Sequence, residues 1–159
     1  MIGMVLQIVL MVALALVVYQ DLKMRMIHVV LPLLIFGLSL SLNWGSIAYR
    51  DWLWSLGFLL LNFIVVTLYF SFKQRAFVNP IDKMIGWGDV LFLIGVLPLF
   101  SFRGYIKYFV MGMIFSLLLF LLMRTIYPRY RTVPLAGFLS LFLIGNKIME
   151  GLTDDYFLT

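Results

Sequence analysis

Six apolar runs separated by short polar loops leave this chain few folds to adopt. They are Met4–Tyr19, Ile27–Leu42, Trp52–Phe72, Asp89–Pro98, Tyr108–Met123 and Val133–Ile148. Lipid offers the backbone no hydrogen-bond partner, so such runs must satisfy their own N–H and C=O groups, as helices do. The chain is 64% hydrophobic and 12% charged, against about 25% charged in a soluble domain. The expectation is an all-α, polytopic integral membrane helical bundle with about six transmembrane helices. Residues 1–159 read as a single membrane-embedded domain, with membrane lipid as its surroundings.

The runs differ in informative ways. The first has no positive residue ahead of it and no small-x-small site behind it, so it reads as a retained helix and not a secretory signal. Pro32 stands near the start of the second, where a helix tolerates proline. Trp52 and Trp54 head the third, as an interfacial belt would. The fourth is shorter than the roughly 20 residues of a full crossing, so it is expected to be tilted or broken. No cysteine and a single histidine are present. Disulfides, thiolate chemistry and an ordinary transition-metal site are therefore excluded, and no cofactor is expected. The net charge of +5 is scattered through short loops, which gives no face for nucleic acid.

Basic residues also orient the chain. Loops one, three and five hold Lys23, Arg25, Lys73, Arg75, Lys83, Arg124, Arg129 and Arg131, whereas the other side holds Arg50, Arg103, Lys107 and Lys147. Short loops rich in Lys and Arg stay in the cytoplasm. The odd loops are thus expected inside and both termini outside. This arrangement brings Asp21, leaving helix one, and Asp89, entering helix four, to the same cytoplasmic boundary.

Asp89 is the end of Gly86-Trp87-Gly88-Asp89, which sets a carboxylate at the mouth of an apolar run. An ionisable group at a hydrocarbon boundary is a functional candidate. Gly86 and Gly88, lacking Cβ atoms, are expected to let the backbone turn sharply and another chain approach. Taken alone, Asp89 serves equally well as a helix N-cap. Asp21 alone reads as a solvated residue beside Lys23. Together the two suit general acid–base hydrolysis of an amide: one carboxylate takes a proton from water while the other donates one to the carbonyl oxygen. Partial burial should raise their titration toward neutral pH. Asp82, in the turn Asn79-Pro80-Ile81-Asp82-Lys83, is assigned no chemistry. His28 is taken as hydrated. Gly57, Gly112 and Gly137 are read as helix-packing positions. Tyr127, Tyr130 and the arginines near them are read as interface anchors.

Gly86-Trp87-Gly88-Asp89 resembles the Gly-x-Gly-Asp motif of intramembrane aspartyl peptidases, and the whole pattern is most similar to type IV prepilin and preflagellin peptidases. In that family a first aspartate ends helix one in a pattern like Asp-x-x-x-x-x-Ile-Pro-Asn, matched here by Asp21 and Ile27. Val133-Pro134-Leu135-Ala136-Gly137-Phe138-Leu139 resembles the Ile-Pro-Phe-Gly-Pro segment that opens the family's last helix. The resemblance implies Asp21 and Asp89 as the catalytic pair, Gly86 and Gly88 as site geometry, and no metal. It also implies cleavage of a basic leader from single-helix, prepilin-like precursors at the cytoplasmic face of the plasma membrane. His28-Val29 stands where Pro-Asn is usual, and Leu91 where a lysine is usual. The methyltransferase region of larger relatives, with its paired cysteines, is not expected. Two alternatives remain: a catalytically degenerate scaffold of a pilus or secretion assembly, favoured by those departures, and a proton-coupled transporter. In spans one, three, five and six a transporter has only residues such as Gln7, Asn62, Thr67, Ser116 and Ser140 near the midplane to work with.

Overall fold

Each of the six apolar runs is helical in the computed structural model, which describes residues 2–24, 26–45, 48–74, 86–126 and 133–153. The helices are α1 Ile2–Met24, α2 Val30–Leu42, α3 Tyr49–Gln74, α4 Trp87–Gly95, α5 Phe102–Ile126 and α6 Leu135–Thr153. A 3₁₀ turn, Leu97–Leu99, follows α4. No strand occurs among the described residues.

Most differences from the sequence reading lie at helix ends, where polarity was mistaken for a loop. Gln20-Asp21-Leu22-Lys23 is polar but contains no helix breaker, so α1 runs on to Met24 and Asp21 lies inside it. Helix α5 starts six residues before Tyr108 because Ser101 caps it, its hydroxyl accepting the Gly104 N–H at 3.3 Å. Helix α4 begins at Trp87, two residues before Asp89. It stops at Gly95 because Pro98 has no N–H to continue the ladder. The Asn43 amide then donates to the Pro98 carbonyl at 3.0 Å, tying the end of α2 to the turn.

Three helices are long and apolar enough to cross a membrane: Gly3–Met24, Tyr49–Lys73 and Phe102–Thr125. Val30–Leu42 and Trp87–Leu99 are apolar but shorter. The protein is therefore an all-helical bundle of membrane character, with three helices of spanning length among the described residues.

Helix α1 packs along α6 and α2, α2 packs on α4 and the 3₁₀ turn, and α5 packs on α6. The core between them includes Leu14, Val17, Ile35, Phe92 and Leu139. Gly95 permits the tightest backbone approach: a Cβ there would meet the Pro32 carbonyl at 2.8 Å. Two buried tyrosines on α5 reach the neighbouring backbones. Tyr105 donates to the Leu93 carbonyl at 3.2 Å and Tyr108 to the Leu139 carbonyl at 3.1 Å. Helix α3 is the outlier. It touches only α5 and the 3₁₀ turn closely, and Leu60, Leu61, Ile64, Val65 and Leu68 face outward. Gly112 does pack against α6, at Leu139 and Phe142, whereas Gly57 has no atom within 4 Å of an added Cβ and is not a packing position.

Candidate active site

The site forms where α1 ends and where α4 and α6 begin. Helix α6 opens without a side-chain cap. Pro134 occupies the cap position, its carbonyl accepting the Phe138 N–H at 3.1 Å, but it has no side-chain acceptor for the next amides. An N-cap side chain ordinarily serves the second or third N–H of its helix. Here those are Ala136 and Gly137, and carboxylates from two other helices take the place of the cap. Asp89 Oδ1 accepts the Ala136 N–H at 2.9 Å, and Asp21 Oδ2 accepts the Gly137 N–H at 2.6 Å. Charge-assisted bonds of this kind are roughly twice as strong as neutral ones. The positive end of the α6 dipole adds to them and offsets the repulsion between two carboxylates.

The two residues reach this seat differently. Asp21 is in the last turn of α1 and only 6% exposed. It is not the solvated residue that its neighbour Lys23 suggested. The Lys23 ammonium instead donates to the Tyr19 hydroxyl at 2.6 Å. Asp89 is half-buried in the first turn of α4, a helix too short to cross a membrane. Its capping role differs from the expected one. Gly86 is the N-cap, and Asp89, three residues on, accepts the Gly86 N–H as the acidic member of a capping box would. The Asp89 carboxyl is raised from 3.8 to about 6: burial is the main cause, the Ala136 amide opposes it, the nearby Asp21 charge adds to it, and the Gly86 amide opposes it more weakly.

Gly88 acts by close approach, and neither Gly86 nor Gly88 turns the chain through a positive φ. Gly86 is extended, with φ −66 and ψ 143, and among the described glycines only Gly45 has a positive φ, 81. A Cβ on Gly88 would stand 3.0 Å from the Ile27 Cβ. A Cβ on Gly86 would meet Asp89 Oδ2 at an ordinary 3.4 Å. Ile27 belongs to the α1–α2 connection, where the His28 N–H donates to Gln20 Oε1 at 3.1 Å. His28 itself is exposed. Asp82, Tyr127 and Tyr130 lie outside the described residues.

Sequence reasoning missed Ala136 and Gly137 as donors and Gln20 as the support of the connecting loop. The available signal was Pro134 opening a helix with no acceptor on its own side chain. Among the described residues no group of three His, Cys, Asp or Glu is positioned to hold a metal ion. Compared with known proteins, the chain matches no family model, no curated protein and no solved structure.

Proposed function

We propose that this chain is an aspartic-type endopeptidase of the cytoplasmic membrane, with Asp21 and Asp89 as its catalytic pair. One observation carries the reading: carboxylates 68 positions apart in sequence meet on consecutive amides of a third helix. The raised Asp89 carboxyl suits it to hold the shared proton as pH falls toward about 6. In the reaction, the ionised carboxylate takes a proton from water, whose oxygen attacks the peptide carbonyl carbon. The protonated carboxyl gives its proton to the carbonyl oxygen. The tetrahedral species then collapses, the amide nitrogen gains a proton, and the C–N bond breaks to give an acid and an amine. No covalent enzyme intermediate is needed.

By its resemblance to prepilin peptidases, the proposed substrate is a precursor with a basic leader and one hydrophobic helix. Its scissile bond would lie at the cytoplasmic boundary of the membrane. The two termini of the enzyme would then be extracytoplasmic, in keeping with the distribution of Lys and Arg among the loops.

Two features weigh against a transporter. Asn62 donates to the Phe58 carbonyl at 2.8 Å and Thr67 to the Phe63 carbonyl at 2.7 Å, so both spend their polar groups on their own helix. The test is to reconstitute the chain in liposomes with a pilin-like precursor. Leader release only when the chain is present supports the peptidase. An intact precursor that nevertheless co-purifies with the chain would favour the scaffold reading instead.

A further inference from the structure

We infer that Gly137 is a positioning residue of the reaction proposed above, the one place on α6 where an absent side chain admits the Asp21 carboxyl to the helix's first turn. The inference rests on the peptidase reading for its kinetic consequence, and on geometry for the rest. A Cβ at Gly137 would stand 3.0 Å from Asp21 Oδ2, 3.2 Å from its Cβ and 3.5 Å from its Cγ. The Asp21 Cβ cannot swing aside, because it is fixed to the backbone of α1. That helix is held against α6 by its packed face, in which Leu14 and Val17 are fully buried. Turning the carboxyl away would relieve only the Oδ2 and Cγ contacts, and relieving the Cβ contact needs α1 and α6 to part; either movement would break the 2.6 Å bond to the Gly137 N–H. Ala136, one residue earlier, carries a Cβ and still serves Asp89 at 2.9 Å. The requirement for glycine thus belongs to the Asp21 half of the seat alone.

A packing role predicts something different. Alanine is intrinsically favoured over glycine in helices, so if Gly137 served packing alone, Gly137→Ala would leave a sound helix and an active site. The two roles separate when the amide is removed without adding an atom. Incorporating glycolate at position 137 converts the N–H to an ester oxygen. The same exchange at Phe138, whose N–H donates only within the helix to Pro134, is the control.

The experiment uses the full chain in lipid nanodiscs, with ¹⁵N-glycine for the spectroscopic arm. Asp21→Ala is expected to move the Gly137 amide resonance upfield and to leave that of Gly112 in place. In cleavage assays the ester at 137 should lower kcat by about 10- to 100-fold, the scale of one hydrogen bond to a charged group. KM should stay within about twofold, and the ester at 138 should cleave at close to the normal rate. A Gly137 resonance indifferent to Asp21→Ala overturns the inference, whatever the activity. So does an equal loss from the two esters. If the unmodified chain cleaves nothing, the peptidase reading fails, while the resonance still decides whether Gly137 seats Asp21.

Discussion

Asp21 and Asp89 accept hydrogen bonds from adjacent residues of one helix, yet what holds each in place differs greatly. Asp21 ends a 23-residue helix that packs along α6, and it is almost fully buried. Asp89 opens a nine-residue helix that packs mainly on α2, with Phe92, Leu93 and Gly95 buried, and its first turn is placed by Gly86 at the cap and Ile27 against Gly88. One carboxylate is set by a long helix packed along α6, and the other by a short helix packed mainly on α2. The comparison teaches where this site is tunable. Small substitutions should act through the Asp89 half, while the Asp21 half resists change until its seat is removed.

The largest effect erases the comparison altogether. If the carboxylates share one proton, their unequal supports do not matter to the chemistry, and each is indispensable. Asp21→Asn and Asp89→Asn should each lower cleavage of a reconstituted precursor by at least about 100-fold, the scale of general acid–base catalysis. The double variant should be no worse than either single one, because residues acting as a unit are not additive. Cleavage by Asp89→Asn at a tenth of the normal rate would correspond to about 1.4 kcal/mol of barrier, too little for loss of the acid or base. Asp82→Asn, outside the pair, should retain normal activity.

Stability should sharpen the contrast. The folded chain raises the Asp89 carboxyl from 3.8 to about 6, mainly by burial. It therefore binds that proton more tightly than the unfolded chain does. The resulting stabilisation is complete below about pH 4 and is lost as pH rises through about 6. At pH 7.5 the buried charge is a burden on the fold. Asp89→Asn keeps an oxygen for the Ala136 N–H and removes the charge. It should unfold at a higher temperature than the parent at pH 7.5, by an amount equivalent to at most about 3 kcal/mol, with the gain shrinking to nothing near pH 4. A gain that instead grows toward pH 4 would reverse the assigned cause.

Much of this was legible in the sequence, for reasons visible in single residues. Hydrocarbon length and continuity fix which stretches are helical, so all six helices could be read, and the two helices between Asp21 and Asp89, one leading away and one leading back, foretold their meeting at one end of the bundle. Helix ends were less legible. Asp21 looked like a loop residue because polarity was read as a break, although nothing in Gln20-Asp21-Leu22-Lys23 interrupts a helix. Gly88 looked like a turn because its motif is glycine-rich, whereas its function is to leave space for Ile27. The seat on α6 was the least legible part. Ala136 and Gly137 contribute backbone amides, and no side-chain pattern announces a donor whose partners come from two other helices.

The smallest effects separate the two glycines beside Asp89. Gly88 lies inside α4, where alanine is intrinsically favoured by up to about 1 kcal/mol, so any harm from Gly88→Ala must come from its surroundings. The added Cβ would stand 3.0 Å from the Ile27 Cβ, 3.2 Å from its Cδ1 and 3.4 Å from its Cγ1. The first of these atoms belongs to the stem of the side chain and cannot rotate away. Helix α4 must shift, carrying Asp89 with it, and cleavage should fall about tenfold, equivalent to about 1.4 kcal/mol. Adding Ile27→Ala removes the outer two contacts but not the Cβ, so it should restore only part of the rate. Gly86 is different. Its extended conformation suits alanine, and its nearest contact, 3.4 Å to Asp89 Oδ2, is ordinary. Gly86→Ala should cost up to about 1 kcal/mol, the preference for glycine over alanine at an N-cap, read as a small fall in thermal stability with cleavage nearly intact. Equal losses at positions 86 and 88 would mean that the pair acts through backbone turning after all, and that Ile27 does not set the position of Asp89.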